Sequence, residues 1–130
     1  MTPVYIKITE KGSKFYFKDK AMNIRHREDG PAFEGVNGYK YWFSNGKRHR
    51  EDGPAIEDWW GNKSWYLNGK LHREDGPAIE DSNAYKAWWL NGERLSKAEF
   101  LKRTAKEIVL TMDEIADKLG IDVSKLKIKK

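Results

Sequence analysis

The chain has 130 residues, no cysteine, 38% hydrophobic and 13% aromatic residues including six tryptophans, and 25 Lys+Arg against 20 Asp+Glu, a net charge of +5. That length suits one domain and that apolar content supplies a core, so wholesale disorder, a secreted disulfide scaffold and a cysteine-based zinc site are excluded. The opening MTPVYIKITEKG lacks the apolar stretch of a signal peptide, and no apolar run approaches the ~20 residues that span a bilayer. The expectation is a soluble, cytoplasmic protein in a reducing compartment, without membrane insertion.

Residues 1-25 read as N-terminal capping strands. Val4 to Ile8 alternates as a strand, and Lys14 to Lys18 (KFYFK) resembles the aromatic strand of the units that follow, with about three extra residues near Ala21-Met22-Asn23.

A repeat of 23 residues then dominates. HREDGPA begins at His26, His49 and His72, and three ungapped units fill residues 26-94. Invariant columns are Glu34/Glu57/Glu80, Lys40/Lys63/Lys86, Trp42/Trp65/Trp88 and the pairs Asn45-Gly46, Asn68-Gly69 and Asn91-Gly92. A fixed period of this length marks units that bury their faces only against one another. Asn-Gly after an aromatic run predicts a type I′ hairpin turn, and Asp-Gly-Pro predicts a break in the returning strand. About two strands per unit follow, one on each side of the Asn-Gly turn. Alternation points Trp42, Trp65 and Trp88 to one face and Phe43, Tyr66 and Trp89 to the other.

Residues 95-130 change period and predict a C-terminal α/β cap. Ser96 with Glu99 forms a capping box, and Leu95 with Phe100 a hydrophobic staple, for a helix over about Lys97 to Thr104. Thr111 with Glu114 starts a second helix along Met112, Ile115, Ala116 and Leu119, ending at Gly120. Glu107 to Thr111 and Leu126 to Lys129 read as strands flanking it, a strand-helix-strand unit; a truncated helix-turn-helix over Ile115 to Leu126 is the alternative, short of a recognition helix.

The fold class expected is mainly β: a single-layer antiparallel meander of hairpin repeats with this small α/β segment. The pattern W-Y-x-N-G-K-x-H followed by Gly resembles the MORN (membrane occupation and recognition nexus) repeat. More closely, NGK-x-HREDGPA-x-E is similar to repeats of a group of small phage and bacterial proteins, over residues 14-95. The resemblance implies successive β-hairpins in an elongated, curved sheet that serves as a scaffold or binding surface, with no shared catalytic residues. Arg-Glu-Asp stands here between the His and the Gly, which MORN repeats lack, so lipid binding is not carried over.

Functional readings follow from the columns. The His-Arg-Glu-Asp sets hold groups that acid-base chemistry uses. Recurrence in every unit favours a structural role for His26, His49 and His72 and for Asp29, Asp52 and Asp75, the aspartates accepting turn N-H groups while Arg50 and Glu51 pair with neighbouring units. One metal ion does not bridge histidines spaced by two strands, about 10 Å, when Zn-N bonds are about 2.0-2.1 Å; no metal or cofactor is expected. Trp42, Trp65 and Trp88 read as packing.

Phe43, Tyr66 and Trp89 vary in type, as do the adjoining loops, and variable positions on a constant scaffold are where repeat proteins bind. Trp59 and Trp60 stand out in a loop of Asp, Gly and Asn, either as a contact hot spot or as packing under a terminal segment. The charge divides as +4 over residues 1-25, −2 over 26-94 and +3 over 95-130, so the repeats supply no positive groove for nucleic acid.

The function expected is non-catalytic: a repeat scaffold binding a host protein. The phage resemblance sharpens this to an accessory factor in the bacterial host cytoplasm that inhibits a host enzyme or anti-phage defence system. Single-stranded nucleic-acid binding, an enzyme using one His-Arg-Glu-Asp set, and a homo-oligomer joined through sheet edges are the alternatives.

Overall fold

The computed structural model describes residues 4-105 and 111-120. The strands are β1 (Tyr5–Ile8), β2 (Lys14–Phe17), β3 (Phe33–Glu34), β4 (Lys40–Tyr41), β5 (Phe43–Ser44), β6 (Lys47–Arg48) and β7 (Ile56–Glu57). They continue as β8 (Lys63–Ser64), β9 (Tyr66–Leu67), β10 (Lys70–Leu71), β11 (Ile79–Glu80), β12 (Lys86–Leu90) and β13 (Glu93–Leu95), followed by helices α1 (Lys97–Thr104) and α2 (Met112–Leu119). The protein is mainly β: a large open antiparallel sheet with the order β1-β2-β3-β4-β7-β8-β11-β12-β13, two further two-stranded ribbons, β5-β6 and β9-β10, and two short C-terminal helices.

Each Asn-Gly pair turns as its chemistry demands, with both residues at positive φ: Asn45 51° and Gly46 79°, Asn68 49° and Gly69 81°, Asn91 48° and Gly92 81°. The two-strands-per-unit expectation needs correction. The first two repeats each carry two hairpins, one turned by Asn-Gly and one by the loop 35-39 or 58-62, so each contributes four short strands. The reason lies at the tryptophan. Trp42 donates its N–H to Ala55 O of the next unit (2.7 Å), while its own carbonyl accepts from His49 (3.1 Å). The chain changes partner there, so one extended run divides into a sheet strand and a ribbon strand. Trp65 does the same between Ala78 and His72, at 2.8 and 3.0 Å. The third unit has no following repeat, and β12 runs unbroken into its hairpin with β13.

Register in the large sheet brings the invariant charges together. Lys14, Glu34, Lys40, Glu57, Lys63, Glu80 and Lys86 stand opposite one another on successive strands, alternating in sign. Each opposed pair contributes about 0.2–1 kcal/mol and penalises a slip that would set like charges together. The adjoining row, on the other face, runs Phe15, Phe33, Tyr41, Ile56, Ser64, Ile79 and Ala87. It is covered only in part: Phe15, Phe33, Tyr41, Ile56 and Ile79 are half-buried.

The cap follows the repeat with different residues. Tyr16 takes the tryptophan's place, donating to Ala32 O and accepting from His26. Asp19 builds the turn that replaces Asn-Gly, its carboxylate accepting the N–H groups of Ile24 (2.8 Å) and Asn23 (3.0 Å). Those bonds, the Ile24 one foremost, hold Asp19 below the usual carboxylate range.

At the other end α1 begins on Ser96, whose side chain accepts from Glu99 N, and Leu95 and Phe100 are both buried. α2 begins on Thr111 in the same way and closes on Gly120 in the left-handed conformation (φ 66°). Thr111 is therefore a helix cap and not the end of a strand. Segments 107-110 and 126-129, the expected flanking strands, lie outside the described residues, as does the end of the helix-turn-helix alternative.

The deepest core positions are small. Ala32, Ala55 and Ala78 have no exposed surface, wedged where sheet and ribbon diverge. Overfilling such a site costs about 1–3 kcal/mol. Ala55→Leu is expected to lower unfolding stability by that amount in a urea titration followed by tryptophan fluorescence; an unchanged midpoint would show that the junction has room.

Candidate functional site

The HREDGPA segments are built around their arginines. Arg50 donates Nε–H to Asp52 (3.0 Å) and Nη1–H to Pro54 O (3.1 Å), and lies 3.7 Å from Glu57. Its guanidinium covers the ring of Trp42 from the preceding unit, 4.0 Å from the centroid. Arg73 repeats this with Asp75 (2.8 Å), Pro77 O (3.0 Å), Glu80 (3.2 Å) and Trp65 (3.8 Å). Arg27 does so with Asp29, Pro31 O, Glu34 and Tyr16. The pattern also explains Gly53, where a Cβ would stand 2.8 Å from Arg50 Cζ.

Two expectations are corrected here. Asp29, Asp52 and Asp75 accept the Nε–H of the arginine two residues before, and not the turn N–H groups. Glu51 pairs with His49 of its own motif (3.5 Å) instead of a neighbouring unit. The planar five-donor guanidinium faces three acceptors inside one unit and reaches the neighbouring unit through its face. Composition does not reveal this central role; the arginine's identity in all three copies was the available signal.

Each histidine is committed as well. His26, His49 and His72 accept at Nδ1 the N–H of Asn45, Asn68 and Asn91, at 2.9, 3.0 and 2.9 Å. The neutral tautomer therefore carries its proton on Nε2, 3.5 Å from Glu28, Glu51 or Glu74. One imidazole thus ties the start of each unit to its own Asn-Gly turn. Among the described residues no group of three or more His, Asp or Glu could hold a metal ion.

The two aromatic columns differ in exposure. Trp42, Trp65 and Trp88 are half-buried, the first two under arginines and Trp88 beside Lys97 Nζ (5.8 Å). In the variable column Phe43 is buried, and Tyr66 and Trp89 are half-buried. Arg25 lies 5.4 Å over Phe43 and Arg48 5.5 Å over Tyr66. This column is not an open binding strip: its cations and its packing claim much of it. Among the described residues Trp42 Nε1 and Trp89 Nε1 are buried and meet no acceptor.

Trp59 and Trp60 stand apart, 74% and 57% exposed. Their loop is fixed from within. Asp58 Oδ1 accepts the N–H groups of Trp60 and Asn62, both at 2.9 Å, and Oδ2 accepts Asn62 Nδ2–H at 2.7 Å. Neighbouring loops brace it: Asn62 Oδ1 accepts from Ser82 N (2.8 Å), and Trp60 meets Tyr39 edge-on with ring centroids 5.9 Å apart. Gly38, at φ +84°, sits where a Cβ would approach Trp59 Cβ to 2.9 Å, so only glycine fits beneath this tryptophan. Tyr39 and Gly38 are the supporting residues that spacing does not disclose. Val36, at the same unit position as Trp59, and Tyr85 are also exposed. No terminal segment covers this edge among the described residues.

Comparison with family models, with curated proteins and with solved structures finds no match to this chain. No helix among the described residues is long and apolar enough to cross a membrane.

Two outcomes follow. Arg73→Lys, which keeps the charge but loses the fork, is expected to cost about 1–3 kcal/mol in urea unfolding, whereas Glu74→Gln at an exposed position changes stability by less than about 0.5 kcal/mol. The Arg73 hydrogen bond holds the Asp75 carboxyl below its ordinary value. Its stabilisation is therefore complete above the unfolded pKa, about 3.9, and is lost as pH falls through the lower folded value. Between about pH 5 and pH 3 the urea midpoint of Asp75→Asn should fall less steeply than that of the parent; parallel curves would remove Asp75 from the acid response.

Proposed function

We propose that the chain is a non-catalytic, MORN-like β-repeat scaffold that binds a host protein, acting as a phage-type accessory factor that inhibits a host enzyme or defence system by covering its surface. The carrying observation is the pair Trp59 and Trp60, exposed on a loop that Asp58 and two neighbouring loops hold in place. Tryptophan is the residue most enriched among interface hot spots, and a loop ordered beforehand loses little conformational freedom on binding. The repeats supply a constant frame through their stacked arginines, while the Trp59-Trp60 loop, like the other loops, differs from unit to unit. Trp89 of β12 and Tyr66 of β9, both half-buried, are secondary contacts in this reading, and Phe43 is a support.

The test is affinity capture from bacterial lysate with identification by mass spectrometry. The parent chain is expected to retain a protein that the Trp59→Ala, Trp60→Ala double variant loses at least tenfold, with unfolding stability within about 0.5 kcal/mol of the parent because both rings are exposed. Equal retention by both chains would overturn the loop assignment.

A further inference from the structure

A groove of about 1070 Å³ between the second and third HREDGPA loops holds Arg50 and Arg73, but Asp52 and Asp75 already engage both. A smaller groove of about 570 Å³ at the N-terminal cap has a different character. Lys7 of β1, Phe15 and Phe17 of β2, Met22, Arg25 and Phe43 of β5 line it. Among the described residues no carboxylate lines it, and neither Lys7 nor Arg25 forms an ion pair. The HREDGPA arginines are matched by carboxylates; Lys7 and Arg25, like Arg48 and Arg94, are not, and what sets these two apart is that they line one groove.

The cap also departs from the repeats at this place. Lys7 pairs with Phe15 where Phe33 pairs with Tyr41 and Ile56 with Ser64, so a charge stands in the row that the repeats fill with apolar side chains. The Asp19 turn replaces Asn-Gly and sets Met22, at φ 58°, on the rim. Arg25 spreads its guanidinium over Phe15 and Phe43, 5.5 and 5.4 Å from their centroids. The aromatic surface continues out of the groove along the sheet, with Phe15–Phe33 centroids 4.6 Å and Phe33–Tyr41 5.3 Å apart.

We infer that this groove binds a nucleotide, its phosphate held by Lys7 and Arg25 and its base laid on the half-buried Phe15 and Phe33, Phe17 and Phe43 being buried beneath. An arginine fork beside a lysine suits a multiply charged phosphate, and aromatic rings next to cations are how single-stranded nucleic acids are held without sequence preference. An acidic peptide would satisfy the cations but use the rings less. The volume lies within the ~300–1,000 Å³ of small-ligand sites. A free mononucleotide and the phosphorylated end of a single strand share this chemistry, and Phe33 and Tyr41 would carry the next bases of a strand. This site is separate from the Trp59-Trp60 loop and stands or falls independently of it.

The experiment is a titration of the isotope-labelled full chain, followed by backbone amide NMR, with adenosine monophosphate, adenosine, inorganic phosphate, a 5′-phosphorylated oligothymidine and an oligoglutamate peptide. Shifts centred on Lys7, Phe15, Met22 and Arg25 are expected with the mononucleotide, and weaker ones with adenosine or phosphate alone. Tighter binding of the oligonucleotide, with shifts spreading to Phe33 and Tyr41, identifies a strand as the source; equal affinity identifies the free nucleotide. Lys7→Glu, on an exposed edge strand, should weaken binding about tenfold or more with its spectrum otherwise preserved, and Arg25→Ala should do likewise. No localised shift with either nucleotide at millimolar concentration would overturn the proposal. So would tighter binding of oligoglutamate than of either nucleotide, or undiminished affinity in Lys7→Glu.

Discussion

An arginine laid over the aromatic ring of the preceding unit is the contact on which the array depends. Arg27, Arg50 and Arg73 each sit about 4 Å from a ring, on Tyr16, Trp42 and Trp65, while Asp, Glu and a proline carbonyl hold the guanidinium edge. The face of the group reaches back one unit and its edge organises its own. A lysine would supply charge without that planar division of labour. The motif HREDGPA thus reads as a connector: His holds the Asn-Gly turn, Arg holds the neighbouring unit, Gly makes room for Arg, and Ala fills the narrow junction where sheet and ribbon part.

The two faces of the large sheet consequently have different fates. One carries the row of alternating Lys and Glu and the arginine-capped rings, each capping arginine engaged by carboxylates. The other carries the row from Phe15 to Ala87, of which Ala87 is buried and Phe15, Phe33, Tyr41, Ile56 and Ile79 are half-buried. Open sheets of this kind tolerate such a face by keeping it short, interrupted and bordered by charge. Here Ser64 interrupts it and Lys7 and Arg25 border it. Two places stand out from the repeated scaffold: the Trp59-Trp60 loop edge and the groove of the cap.

Neither place belongs to the repeated motif, which is the physical reason to look for function there. A group required in every copy is committed to holding neighbouring copies together, as the histidines show: their Nδ1 atoms are occupied by turn N–H groups in all three units. Departures from the repeat are released from that duty. Trp59 and Trp60 depart from Val36-Asn37 and Ser82-Asn83, and Lys7 departs from Phe33, Ile56 and Ile79.

The sequence alone determined the parts whose cause is local. A 23-residue period, Asn-Gly turns at positive φ, the Asp-Gly-Pro break, the kinship of KFYFK with the aromatic strands and the helix starts at Ser96 and Thr111 each follow from chemistry within a few residues. The sequence marked Trp59 and Trp60 as two indoles in a polar, glycine-containing loop but left open whether a terminal segment covers them; the fold exposes both. Tertiary structure decided what depends on which unit meets which. Trp42 changes partner because Ala55 of the next unit competes for its N–H, and so one strand becomes two. Asp52 serves Arg50 and not the turn because the guanidinium, drawn over Trp42, passes within its reach. The cap groove gathers Lys7, Arg25 and Phe43 from positions up to 36 residues apart in the chain, and linear spacing carries no trace of a charge that lacks a partner only once the sheet has formed.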